Sequence, residues 1–140
     1  MREPTYRISS EKGWRSIAKE MALLLSKKQK IIALKGDLGA GKTTFVRYLM
    51  DVLLSKDDVS SPSFSIINEY STQSGVVYHM DLYRLDQIEQ LMEIGFEEYI
   101  YSGAICIIEW PELAFPIIKD NCILMEISLD EEYQRIIYID

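Results

Sequence analysis

Apolar residues recur along this chain with two periods, and the switches between them mark its elements. Trp14, Ile17, Ala18, Met21, Leu24 and Leu25 fall at helical spacing, with Arg15, Lys19 and Glu20 off the stripe and Ser9 or Ser10 placed to cap its start. Residues 5–8, just before, read as a short edge strand. The run Ile31-Ile32-Ala33-Leu34 predicts a strand, and helical spacing resumes over residues 44–50. Residues 65–70 and 76–82 are strand-like, and the five-residue link Ser71-Thr72-Gln73-Ser74-Gly75 between them predicts an antiparallel hairpin. Asp86 with Glu89 forms a capping box for a helix through Met92, closed near Gly95. Residues 104–108 are continuously apolar, the pattern of a strand buried on both faces of an α/β sheet. A second hairpin is predicted from residues 122–129 and 133–139 around Asp130-Glu131-Glu132. No linker, repeat or low-complexity stretch divides the pattern, so residues 1–140 read as a single α/β domain, a mixed central β-sheet with flanking helices.

Composition narrows the partners. With 48% hydrophobic and 26% charged residues the chain has an ordinary globular balance, and its net charge of −7 argues against an extended grip on nucleic acid. The cluster Lys27-Lys28-Gln29-Lys30 reads as a solvated connection. Cys106 and Cys122 each sit in an apolar run without CxxC spacing, which predicts buried thiols in a reducing compartment rather than a disulfide or a zinc site. No signal-peptide pattern opens the chain, and no uncharged apolar stretch approaches the ~20 residues that span a bilayer. The expectation is a cytoplasmic protein with no membrane role.

The chemistry centres on Gly36-Asp37-Leu38-Gly39-Ala40-Gly41-Lys42-Thr43, which fits the phosphate-loop pattern of Gly, four residues, Gly, Lys and Ser or Thr. The flanking strand and helix are the context that this motif requires. Its glycines let the backbone turn tightly, so that several N–H groups converge on phosphate oxygens at the positive end of the following helix. Asp37, Leu38, Gly39, Ala40, Gly41, Lys42, Thr43 and Thr44 are the expected nucleotide contacts, with Lys42 reaching the β- and γ-phosphates and the Thr43 hydroxyl ligating Mg²⁺.

Two acids, Asp81 and Glu109, each end an apolar strand, where open α/β sheets place ligand chemistry. Thr43 and Glu109 are assigned to the metal, with Asp81 as an indirect metal partner or as the base; the reverse assignment of the two acids stays open. Ser61 and Ser63 around Pro62 read either as a switch loop that senses the γ-phosphate or as an ordinary turn. His79, the only histidine, reads as a hydrogen-bonded structural residue at a strand end. Trp14 reads as core, with stacking on a base as the alternative. The Asn-Lys-x-Asp motif and the strand-terminal Asp-x-x-Gly that a GTPase would need are both absent, which argues against guanine specificity. A small-molecule kinase fits less well, because the six arginines form no cluster and little chain is left for a lid. An ATP-gated adaptor that does not hydrolyse would use the same residues.

Gly36 through Phe45, then Ser61-Pro62-Ser63-Phe64 with Tyr70, then residues 79–85, then Glu109-Trp110-Pro111 resemble, in order, the signature blocks of the TsaE (YjeE) family. The resemblance runs from the first helix through the last strands. It implies a P-loop NTPase-like fold and a small bacterial ATPase, weak alone. That ATPase would work with the TsaD and TsaB proteins in forming N6-threonylcarbamoyladenosine on tRNA, meeting the tRNA only through the complex. Hydrolysis would reset the complex between cycles, while the transfer itself belongs to TsaD. Matched motif by motif, Lys42, Asp81 and Glu109 would be the catalytic set, Thr43 and Glu109 would hold Mg²⁺, Trp110 would lie beside the nucleotide, and Ser61 and Ser63 would form the switch-like loop. Ser63 stands where the family usually has Thr and keeps the hydroxyl; Trp14 stands near a position where Thr is frequent.

Overall fold

The computed structural model describes residues 6–25, 29–132 and 134–140. In chain order these form β1 (Tyr6–Ile8), α1 (Glu11–Leu25), β2 (Ile31–Lys35), α2 (Lys42–Val52), β3 (Ile67–Thr72), β4 (Gly75–Asp81), α3 (Ile88–Glu93), α4 (Phe96–Ile100), β5 (Ile105–Glu109), α5 (Phe115–Ile118), β6 (Cys122–Leu129) and β7 (Arg135–Ile139). A 3₁₀ turn, Pro111–Ala114, leads from β5 into α5. The readings at Thr5, Lys27, Lys28 and Tyr133 lie outside the described residues.

The strands make one seven-stranded sheet in the order β1-β7-β6-β2-β5-β4-β3. Its centre is parallel: β2 lies between β5 and β6, and β4 runs beside β5. Antiparallel hairpins, β6–β7 and β3–β4, flank that centre, and β1 closes one edge against β7. The result is a mixed α/β sheet of the P-loop NTPase-like kind.

All five residues of β5 are buried, which is why its sequence shows no alternation. The two-residue period of the strands sorts their side chains between two cores. Ile32, Leu34 and Ile107 pack with Ile17, Met21, Phe45 and Leu49 of α1 and α2. Ala33, Cys106 and Ile108 pack on the other face with Leu91, Phe96, Ile100 and Ile118. Each such fully buried large side chain contributes about 1.5–3 kcal/mol relative to exposure, and together they hold the sheet's carboxyl edge rigid enough to carry a site.

Four local readings are corrected. Leu24 is 37% exposed, because it lies about 80° round α1 from the middle of the stripe at ~100° per residue, and Leu25 takes the buried place. The hairpin link is two residues, not five: Thr72 pairs with Gly75 across it. The Thr72 hydroxyl donates to the Gly75 carbonyl at 2.7 Å and accepts from Ser74 N–H at 3.0 Å, and Gly75 has φ +114°. β3 starts late because Ile66 adopts φ +70° and its N–H donates to the Pro62 carbonyl, which keeps Ser65 and Ile66 in the preceding turn. The helix near Asp86 begins at Ile88, so the N3 residue is Gln90 rather than Glu89; its Oε1 accepts from the Asp86 and Gln87 N–H groups at 2.8 and 2.9 Å. Gly95, at φ +72°, ends that segment and starts α4, which periodicity does not announce.

Both cysteines are free thiols. Burial pushes the Cys106 thiol up to about 12, so it is inert at neutral pH. Cys122 is half-buried, and burial raises its thiol as well. Among the described residues no helix is long and apolar enough to cross a membrane.

Candidate nucleotide site

The loop between β2 and α2 leaves the carboxyl edge of the sheet beside the ends of β4 and β5. Ala40 N–H donates to the Asp37 carbonyl, folding residues 37–40 into a turn. Gly41 precedes α2 at φ +118°, and a Cβ built there would stand 2.9 Å from Cζ2 of Trp14. Only glycine fits between that ring and the loop. Trp14, 8% exposed, thus packs directly against the phosphate loop.

Lys42, the first residue of α2, is 5% exposed. Among the described residues its Nζ has no hydrogen-bond partner. It lies 3.9 Å from Glu109 Oε1 and 3.9 Å from the centroid of the Trp110 ring. Burial lowers its pKa, and the nearby carboxylates, Glu109 first and Asp81 next, oppose that shift without cancelling it. A buried ammonium with unmade hydrogen bonds, aimed into a cavity, fits an anionic ligand.

The two acids come together through register. In the parallel pair β4–β5, Asp81 stands opposite Glu109. Both are nearly fully buried, at 5% and 3% exposure. Asp81 accepts from the Ser63 hydroxyl at 3.3 Å and from Tyr83 N–H at 2.9 Å. Glu109 Oε2 lies 2.5 Å from His79 Nε2. Just past Glu109, Trp110 adopts φ +53° before Pro111, a left-handed turn that lays its ring over Lys42 and 4.8 Å from the Tyr83 ring. Backbone of this kind costs about 1–3 kcal/mol and concentrates at functional sites.

One cavity of about 200 Å³ gathers these groups. Leu38, Gly39, Gly41, Lys42, Thr43 and Thr44 line it from the loop, and Ser61, Ser63, Asp81, Glu109 and Trp110 line it from the opposite side. Two expected contacts do not: Asp37 is exposed outside the lining, and the Ala40 side chain is buried in the core, so either can serve only through its backbone. Arg135, at the start of β7, also lines the cavity. Sequence reasoning missed it because nothing local distinguishes an arginine that opens an edge hairpin strand. A larger cleft of about 920 Å³ adjoins, sharing Thr44 and Arg135 and bounded by Ser9, Trp14, Arg47 and Asp57 among others.

Among the described residues no three His, Cys, Asp or Glu side chains cluster closely enough to hold a metal by themselves. That donor set suits Mg²⁺, which is bound through one or two carboxylates with phosphate oxygens and water completing its shell. The residues present therefore fit a metal carried with a nucleotide rather than an independent metal centre.

Comparison with known proteins identifies the family. Residues 8–137 match the family described as Threonylcarbamoyl adenosine biosynthesis protein TsaE. A protein of Haemophilus influenzae named tRNA threonylcarbamoyladenosine biosynthesis protein TsaE is 34% identical over 122 residues, 87% of this chain and 77% of that protein. The protein of the same name from Aquifex aeolicus is 38% identical over 131 residues, 91% of this chain and 89% of that one. The crystal structure of Bacillus subtilis YdiB superposes with a TM-score of 0.65 at 28% identity, covering 98% of this chain and 86% of that chain. With family match, relatives and fold in agreement, the chain belongs to the TsaE family.

Proposed function

We propose that this protein is a Mg²⁺-dependent ATPase that serves the formation of N6-threonylcarbamoyladenosine on tRNA, acting in the cytoplasm with TsaD and TsaB proteins. The observation that carries the reading is the buried Lys42 ammonium, without a hydrogen-bond partner and facing two buried strand-end acids across a cavity the size of a phosphate chain. The family assignment supplies the pathway.

In this reading the loop amides and Lys42 hold the β- and γ-phosphates, which supply the hydrogen-bond acceptors that Lys42 lacks. Thr43 and Glu109 would hold Mg²⁺, which when bound neutralises charge on the transferring phosphoryl group. Asp81, kept in place by Ser63 and Tyr83 N–H, orients the attacking water. Ser61, 2.8 Å from Ser63, completes the loop that closes on the γ-phosphate. A cavity of about 200 Å³ takes phosphates but not a nucleoside, so ribose and base pass Thr44 and Arg135 into the adjoining cleft. The net charge of −7 supports contact with tRNA through the partners rather than directly. Hydrolysis would reset the assembled complex.

The test is phosphate release from Mg-ATP, measured with and without TsaD and TsaB proteins. Release that rises on adding the partners supports the reading; release at background in both conditions replaces the ATPase with an ATP-gated adaptor.

A further inference from the structure

Glu109 does not stand by itself behind the metal position. Its Oε2 meets His79 Nε2, and the opposite ring nitrogen, Nδ1, lies 3.1 Å from the Tyr70 hydroxyl. His79 is fully buried and Tyr70 is 3% exposed. The same hydroxyl lies 3.1 Å from the Ser60 carbonyl and accepts from Ser60 N–H at 3.4 Å. Ser60 leads into Ser61-Pro62-Ser63, and at the far end of that loop Ser63 donates to Asp81. One short loop is thus tied to both acids, directly to Asp81 and through two buried rings to Glu109.

Counting protons shows what the second tie does. A carboxylate only accepts, so Nε2–H donates to Glu109, and the other ring nitrogen, Nδ1, faces the Tyr70 hydroxyl. The Tyr70 hydroxyl donates to the Ser60 carbonyl at 3.1 Å and lies 3.1 Å from His79 Nδ1, so it joins the loop to the ring. Asn68 Nδ2 donates to the same carbonyl at 3.0 Å and to the Tyr70 hydroxyl at 3.4 Å, so one amide braces both. If the loop withdraws, the Tyr70 hydroxyl loses that acceptor and must follow the loop or turn to Nδ1, and either change alters the hydrogen bonding of the ring that meets Glu109.

We infer that Tyr70 and His79 are positioning residues for Glu109: a hydrogen-bonded chain runs from the Ser60 carbonyl through the two buried rings to its carboxylate, so that loop position and acid orientation change together. The inference deepens the ATPase reading and rests on it only for the effect on turnover.

The experiment uses the full chain without nucleotide. Because His79 is the only histidine, its two ¹⁵N resonances are unambiguous. Tyr70→Phe removes one hydroxyl and keeps the ring; Asn68→Ala removes the donor shared by the Ser60 carbonyl and the Tyr70 hydroxyl and deletes no hydrogen bond made by the His79 ring. In both variants the Nδ1 resonance should move towards that of a free acceptor or a changed tautomer. Amide exchange at Ser60, Ser61 and Ser63 should quicken about tenfold in Tyr70→Phe. Turnover should fall about fivefold in Tyr70→Phe with KM within about twofold, the split expected when ground-state binding is untouched. An Nδ1 resonance in Asn68→Ala identical to wild type, or unchanged loop exchange in Tyr70→Phe, overturns the inference. Should Tyr70→Phe fail to fold, Asn68→Ala alone decides it. If the wild-type protein hydrolyses no ATP with or without partners, the ATPase reading falls, while resonances and exchange still decide the relay.

Discussion

On one wall of the cavity Glu109 and Asp81 are held by His79, by Ser63 and by the Tyr83 amide; on the other, Lys42 Nζ has no hydrogen-bond partner. Both walls are buried to the same degree. The difference lies in what completes them. The acids have their orientation set by the protein before any ligand arrives, which is what a metal position needs, since a carboxylate free to rotate would lose entropy on binding. The ammonium has no such hydrogen-bond partner among the described residues, and in the proposed function phosphate oxygens would supply it. The folded state bears the cost of an unsatisfied group, and binding recovers it.

The sharpest way to break this contrast is to remove the unmet group. Lys42→Met keeps a long, flexible, apolar side chain at the start of α2 and deletes the charge. Affinity for ATP, measured by calorimetry, should fall at least about a hundredfold, the scale of losing several charge-assisted hydrogen bonds. Affinity within a few-fold of wild type would show that phosphates do not meet Lys42, and the site assignment would go with it.

On the satisfied wall the larger effect belongs to Glu109. Glu109→Gln keeps the shape and removes the charge, so turnover should drop more than about tenfold. Nucleotide affinity in the absence of Mg²⁺ should stay within a few-fold, because the loop and Lys42 carry the phosphates. Loss of affinity without loss of turnover would reverse the roles given to the two walls. Removing Mg²⁺ with a chelator should abolish turnover in the wild-type protein, leaving the same Mg²⁺-free affinity.

How much of the site was legible in the sequence follows the same division. The phosphate loop is a local feature: eight consecutive residues with a strand before and a helix after, and each of its demands is visible in the string. Asp81 and Glu109 were legible as acids ending apolar runs, although their juxtaposition depends on β4 lying beside β5, which the sequence pattern does not encode. What held them was not legible. His79 stands thirty positions from Glu109 in sequence, and Tyr70 meets His79 only because β3 folds back on β4 through a two-residue turn. Arg135 arrives from the far hairpin. At the fold level, Leu24 and Glu89 went astray for a smaller reason: each sits one residue from the position that the packed helix uses, and periodicity alone resolves a face or a cap no better than that.

A milder perturbation sharpens the contrast from within the satisfied wall. Ser63→Ala deletes the hydroxyl that donates to Asp81 at 3.3 Å, while Tyr83 N–H still holds the other carboxylate oxygen. Turnover should fall about fivefold, about 1 kcal/mol, the scale of one ordinary hydrogen bond. Ser63→Thr keeps the hydroxyl and should restore most of it. An equal loss in both variants would place the effect in loop packing rather than in the bond to Asp81.

The smallest expected effect bears most directly on the unsatisfied wall. Burial lowers the Lys42 pKa below its ordinary 10.5, so between that lowered value and 10.5 the unfolded chain binds the proton that the folded chain has released. Stability from this group therefore rises with pH through that window, and at neutral pH the charged lysine is a net penalty on the ligand-free fold. Lys42→Met should then melt higher than wild type without nucleotide, by roughly 2 °C, about 0.5 kcal/mol. The gap should be widest near neutral pH and close as pH rises towards 10.5. Saturating ATP should reverse the order, because only the wild type gains from binding. A ligand-free variant that melts lower would mean that Glu109 already holds Lys42 as an ion partner at 3.9 Å, that the ammonium is not waiting for phosphate, and that the two walls are built alike.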